Sequence, residues 1–206
     1  MPDGTISSVK RGRKYDQVID GARAVFMQVG FEGASVDEIA KAAQVSKATL
    51  YSYFPDKRLL FVAVAKSECT RLADRAVGNL DASAPVTEVL HDIGWQVLNF
   101  FTSDFGQRVL RISCSEADRF PEIGREFYEA GPALARSRIE AYFAAAQAAG
   151  HVKMDDVTLA AEQFMELCKA GIFPQIVFNL SRDFSDAEKE YVISNAVTTF
   201  MARYGT

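Results

Sequence analysis

Two helix starts lie only eleven residues apart in this chain, at Ser35 and Ser46, and that spacing leaves room for two short helices and a tight turn. Ser35-Val36-Asp37-Glu38 is a capping box: the serine hydroxyl accepts from the Glu38 amide, and the Glu38 side chain reaches back. The apolar pattern breaks at Gln44-Val45, Ser46 caps a second short helix through about Tyr53, and Pro55 stops it. Helices this short do not hold in water by themselves, so each must bury a face against a neighbour. That neighbour is predicted upstream, as a helix from Tyr15 to Val29 with an apolar stripe of Val18, Ala22, Val25, Phe26 and Val29 and a stop at Gly30. A small trihelical core of Phe26, Val36, Ile39, Ala40, Val45 and Leu50 follows. It leaves the third helix with a free face carrying Lys47, Ala48, Thr49, Tyr51, Ser52 and Tyr53.

Helical periodicity continues through the remainder, and no stretch shows sustained strand alternation. A fourth helix, capped by Asp56, is expected to reach about Asn79. Later ones are expected over Ala84–Phe101 and Asp104 to about Ala117. A Pro121-led segment precedes a long helix ending at Gly150, and two more span Asp156 to about Leu180 and Asp186–Tyr204. Ser185-Asp186-Ala187-Glu188 is a second capping box, and Pro174 is expected to kink or interrupt its helix. The fold class is therefore all-α: a three-helix helix-turn-helix head at 1–55 and a larger helical domain at 56–206, about nine helices in all.

At 206 residues the chain can bury a core without disulfide or metal. Its three cysteines are scattered, have no zinc spacing, and lie in apolar helical contexts that read as buried packing. No apolar run reaches membrane-spanning length, and Met1 to Lys14 is polar and basic rather than a signal peptide, which predicts a cytoplasmic protein with no membrane partner. Residues 1–60 hold nine bases against seven acids, a net +2; with −4 overall, the remainder carries −6. The sign places any nucleic-acid surface at the N-terminal end.

Two short helices across a tight turn are the shape that carries a recognition helix into the DNA major groove. Phe31-Glu32-Gly33-Ala34-Ser35-Val36-Asp37-Glu38-Ile39-Ala40, followed by Val45-Ser46-Lys47-Ala48-Thr49-Leu50-Tyr51-Ser52-Tyr53-Phe54-Pro55-Asp56-Lys57, resembles the DNA-binding domain of the TetR family over about Tyr15 to Phe61. Glu116-Ala117-Asp118-Arg119-Phe120-Pro121-Glu122 and Phe127-Tyr128-Glu129-Ala130-Gly131-Pro132 resemble the AefR-like subgroup, whose members are often tied to efflux control. The resemblance implies a repressor that grips double-stranded operator DNA as a homodimer and is released by a small-molecule effector of unknown identity. It puts Thr49 and Tyr51 at base or phosphate contacts, Tyr53 and Lys57 at phosphates, and Lys47 and Ala48 at the base-reading end of the recognition helix. Ser35 caps the second helix, whose amides face a phosphate. The basic arm Lys10-Arg11-Gly12-Arg13-Lys14 is expected to track phosphates or enter the minor groove.

In TetR-like proteins the last two helices pack with their twins as a four-helix bundle. Here that implies an interface from Ile176, Val177, Phe178 and Leu180 on one helix and Tyr191, Val192, Ala196, Val197, Phe200 and Met201 on the other; a stripe facing the chain's own core is the equal alternative. Trp95, Phe100, Phe101, Phe143 and Phe164, with His91 and Glu116 as polar points, suit a pocket for a drug-like or aromatic effector, though each aromatic also reads as core. An activator, or a regulator answering to a protein partner, would share these features. An enzyme would not: GxGxxG, P-loop, HExxH and GxSxG are all missing, two histidines are few for a triad, and neither cofactor nor metal is implied.

Tyr51→Ala should weaken operator binding while leaving the unfolding midpoint near that of the parent, whereas Leu50→Ala should cost about 2–5 kcal/mol of stability. Thermal melts of both variants beside gel-shift titrations check this; equal destabilisation would make Tyr51 structural.

Overall fold

The computed structural model describes residues 12–78, 84–118 and 120–206. Eleven helices run through them: α1 (Arg13–Gly33), α2 (Val36–Ala42), α3 (Lys47–Tyr53), α4 (Lys57–Gly78), α5 (Val86–Thr102), α6 (Asp104–Glu116), α7 (Pro121–Tyr128), α8 (Leu134–Ala148), α9 (Val157–Leu167), α10 (Ile172–Val177) and α11 (Asp186–Tyr204). A π turn at Glu129–Ala133 joins α7 to α8. No strand occurs among the described residues, only one isolated bridge between Val152 and Gly205. The chain forms two compact units, one up to Ser67 and one from Glu68.

In the first unit α1 leaves helical backbone at Gly30, as expected, but resumes for one more turn to Gly33. Its buried stripe is Val18, Ile19, Ala22 and Phe26; Val29, predicted inside, is exposed, and Phe31 beyond the Gly30 kink is buried instead. Phe26 meets Phe61 edge-on at 5.0 Å, and Phe31 meets Phe61 at 5.1 Å. Each such ring removed from water contributes roughly 1.5–3 kcal/mol. The corner between α2 and α3 ends in a 6→1 and 5→2 pair of bonds, Val45 N–H to the Ala40 carbonyl at 3.0 Å and Gln44 N–H to that of Lys41 at 3.1 Å. Gln44 takes the left-handed conformation there, φ 54°. Against this corner α1 presents Gly21, where a Cβ would come within 2.5 Å of the Ala43 nitrogen.

The second unit is built around Leu90, Leu98, Phe143, Phe164, Ile176, Ile193 and Phe200. Phe143 stacks on Phe200 at 5.0 Å, and Phe164 meets Phe200 edge-on at 5.2 Å. The predicted helix over Asp156–Leu180 is two helices. The break comes before Pro174, at Gly171, whose φ of 75° favours a residue without Cβ. Pro174 then falls in the first turn of α10, where a missing N–H has no intrahelical partner to lose. This division, with α7 standing as a helix of its own, takes the count beyond the nine expected. Ser185 and Glu188 form the second capping box at the start of α11.

Cys69 and Cys168 are buried, and burial pushes their thiols up to about 11 and about 12. Cys114, also expected inside, is exposed on α6. No described helix is long and apolar enough to cross a membrane.

Gly21→Ala should lower the unfolding free energy by about 1–3 kcal/mol, because the new methyl meets main chain rather than a movable side chain. Urea titration measures it; an unchanged midpoint would mean that the corner gives way freely.

Candidate nucleic-acid interface

The recognition face is made by what holds α3 from behind. Leu50 is 1% exposed, in the core with Ile39, Ala40 and Phe54, so the opposite side of a seven-residue helix must face out. Lys47, Ala48 and Ser52 are exposed, Thr49 and Tyr53 half-buried, and Tyr51 is 49% exposed despite its large ring. The helix start is fixed by Ser46, whose hydroxyl accepts from the Thr49 amide at 3.1 Å and lies 2.9 Å from the Thr49 hydroxyl. Ser52 donates to the Thr49 carbonyl at 2.7 Å. The structure thus brings Lys47, Ala48, Thr49 and Tyr51 together on one side of one helix.

Neighbouring elements orient the edges of that face. Lys47 forms an ion pair with Asp37 at the start of α2, a partner that sequence reasoning missed because the two residues meet only across the turn. Tyr53 packs its ring edge-on against Tyr15 of α1 at 5.8 Å. Ser35 accepts from the Glu38 amide at 3.2 Å, while the Glu38 carboxylate receives the Ser35 N–H at 3.0 Å and hydroxyl at 2.7 Å. These bonds hold the Glu38 carboxyl below its usual range. The cap is therefore complete above the ordinary carboxylate pKa and is lost only as pH falls through the depressed value.

Lys57, expected at a phosphate, is half-buried and engaged with main chain. Its ammonium donates to the Phe31 carbonyl at 2.8 Å and the Ala34 carbonyl at 3.0 Å, and lies 4.4 Å from the centre of the Phe31 ring. It braces the α1–α2 corner from the first residue of α4. Two of its three N–H donors are accounted for, which leaves one for a phosphate oxygen. No local pattern predicts such a brace, since the carbonyls lie 26 and 23 residues away.

Of the basic arm, Lys10 and Arg11 lie outside the described residues. Arg13 and Lys14 are not arm at all but the exposed first residues of α1. Cations in a first helical turn oppose the helix dipole, a placement that a nearby anion relieves.

In the second unit the expected aromatic lining is dispersed. Phe143 and Phe164 belong to the core stack, and Phe100, Phe101 and Phe173 form an edge-to-face chain with spacings of 5.4 and 5.2 Å. Trp95 donates to Glu190 at 3.2 Å, and His91 pairs with the same carboxylate at 2.8 Å beside an open cleft of about 540 Å³. Hydrogen bonds from Ser194 and His91 hold the Glu190 carboxyl below its usual range. The apolar stripe of α11 also turns inward: Ala196, Val197 and Phe200 are buried in this chain's own core, while Tyr191 on the same helix is 72% exposed, and Phe178 and Leu180 after α10 are 74% and 76% exposed.

Comparison with known proteins agrees with the geometry of the head. A family model of bacterial regulatory proteins of the tetR family matches residues 18–64, and that of an AefR-like transcriptional repressor C-terminal domain matches 88–206. A TetR-family transcriptional regulator from Mesorhizobium loti superposes with a TM-score of 0.80 at 28% identity, over 94% of this chain and 98% of that one. The flavonoid-responsive regulator FrrA superposes with a TM-score of 0.70 at 38% identity, with the same coverage. The repressor AcnR of Corynebacterium diphtheriae is 27% identical over 88 residues, 43% of this chain and 44% of its own length. The chain thus spans less than half of that curated relative.

Lys57→Met should lower the melting temperature by removing the brace and reduce the salt slope of DNA binding by about 0.9, one phosphate contact. Salt-titrated binding isotherms beside thermal melts separate the two effects; an unchanged slope would leave Lys57 a brace alone.

Proposed function

This chain belongs to the TetR family of transcriptional regulators, with an AefR-like C-terminal domain, and on that premise we propose that it is a dimeric cytoplasmic repressor released from its operator by a small molecule. The observation that carries the reading is the outward face of α3: a lysine, two hydroxyls, a small alanine and a half-exposed tyrosine on a helix whose back is locked by Leu50. A rigid helix with donors and little bulk is what base edges in the major groove require. Lys47, Ala48, Thr49 and Tyr51 read bases or adjoining phosphates; Tyr53 and Lys57 meet phosphates from the flank. Ser35 serves first as the cap that fixes α2.

One such head covers only a few base pairs, so two copies are needed to span half-sites about 34 Å, or a multiple, apart. Phe178, Leu180 and Tyr191 form the surface on which a second copy docks. Each of these large side chains is exposed by about three-quarters in the single chain, and a partner copy would cover them. The net −6 of residues 61–206 keeps the body of the protein from adhering to DNA, so that binding is confined to the heads.

The effector is assigned to the second unit. Ser113 on α6 is buried with a hydroxyl that has no hydrogen-bond partner among the described residues, a cost that a ligand's polar group would relieve. The name of FrrA describes that relative as flavonoid-responsive, and an aromatic effector with hydroxyl or carbonyl groups is accordingly the class proposed here.

Footprinting on DNA upstream of the chain's own gene should protect two half-sites in a salt-sensitive, sequence-selective manner, and an aromatic effector should abolish the protection. Retention of all fragments alike would remove the regulator's specificity. Reporter expression that falls when the gene is deleted would make it an activator.

A further inference from the structure

Phe178 and Leu180 follow directly on α10 and stand about three-quarters exposed. Their outward display has a cause in the backbone. α10 closes with Leu180 N–H on the Gln175 carbonyl at 2.8 Å and Asn179 N–H on the Ile176 carbonyl at 3.1 Å. Between them Asn179 adopts the left-handed conformation, φ 57°. This is a helix terminator built on asparagine rather than glycine, and its backbone is fixed further by surrounding contacts.

Those contacts come from α6. Arg111 donates to the Ile176 carbonyl at 2.8 Å and to the Asn179 side-chain oxygen at 3.2 Å, an oxygen that also accepts from Arg182 at 2.8 Å. One turn earlier Gln107, only 4% exposed, aims its amide at two carbonyls: Thr102 at 3.1 Å, at the α5–α6 corner, and Arg182 at 2.9 Å. Both ties reach main-chain carbonyls, so they fix the course of the loop irrespective of its side chains. They bracket the segment at 176 and 182, with Phe178 and Leu180 between. Among the described residues, the other hydrogen bonds of 178–184 stay within that segment or return to α10.

We propose that Gln107 and Arg111 are positioning residues for self-association: from α6 they hold the 176–182 backbone so that Phe178 and Leu180 project towards a second copy of this chain. The inference rests on the two-copy reading given above. A loop already ordered in the free chain loses little conformational entropy when the partner arrives, and affinity rises without a new contact. The affinity of the dimer is thereby set by a helix that presents none of the docking side chains.

Sedimentation velocity of the full chain from nanomolar to micromolar concentration, with amide exchange over 176–182, tests this. Gln107→Ala with Arg111→Ala should weaken association tenfold or more and speed exchange in the loop, with near-UV circular dichroism unchanged. Arg111→Lys, which keeps a donor for the Ile176 carbonyl, should recover most of the affinity. If the double variant does not fold, Arg111→Ala alone, at a half-buried position, should still weaken association several-fold. Phe178→Glu with Leu180→Glu tests the underlying surface and should give monomers. If it does while the α6 variants associate like the parent, the positioning role is overturned and the surface stands. If the glutamate pair leaves association intact, the two-copy surface falls and the inference with it.

Discussion

Everything that α3 offers to DNA depends on its attachment by a single buried side chain and a close approach beneath it. Leu50 is the only residue of that seven-residue helix lost from solvent, and the corner that delivers it, at Ala43, lies so near Gly21 of α1 that a methyl would not fit between. A short helix has no stability of its own to contribute. Its orientation is borrowed from α1, through Gly21 and the Phe26–Phe31–Phe61 cluster, and is trimmed by the Ser35 and Ser46 caps. Rigidity of the reading face is thus a property of the core behind it.

The second unit distributes its polar groups differently. Beside its local caps, this unit joins several distant elements: Glu190 gathers His91, Trp95 and Ser194 between α5 and α11, and α6 reaches the end of α10. Such bonds are worth little individually in water-exposed positions. Their value lies in specifying one arrangement of helices whose apolar faces could pack in several.

Features decided within four residues were readable in the sequence, and those decided by distant partners were not. The caps at Ser35, Ser46, Asp156 and Ser185 are local hydrogen bonds between a side chain and its own helix, and each lies where the residues place it. The exposure of Tyr51 opposite Leu50 follows from helical period alone. Pro174 misled because proline is visible as a breaker, while the actual break required a left-handed residue, supplied three positions earlier by Gly171. The α11 stripe was legible as apolar but not as to whose core it served; Phe143 and Phe164 of the same chain claim Phe200. Lys57 shows the same limit, since its bonds to the carbonyls of residues 31 and 34 join positions too far apart in the chain for any local pattern to announce.

The burial of Cys69 and Cys168 has a practical corollary. With thiols raised to about 11 and about 12, both carry a negligible thiolate fraction at neutral pH and are sheltered from reagents. Cys114, three residues beyond Arg111 on the same helix, is exposed. A maleimide dye would therefore attach to the unaltered chain at one point on α6, giving a fluorescent reporter of that helix without engineering a label into it.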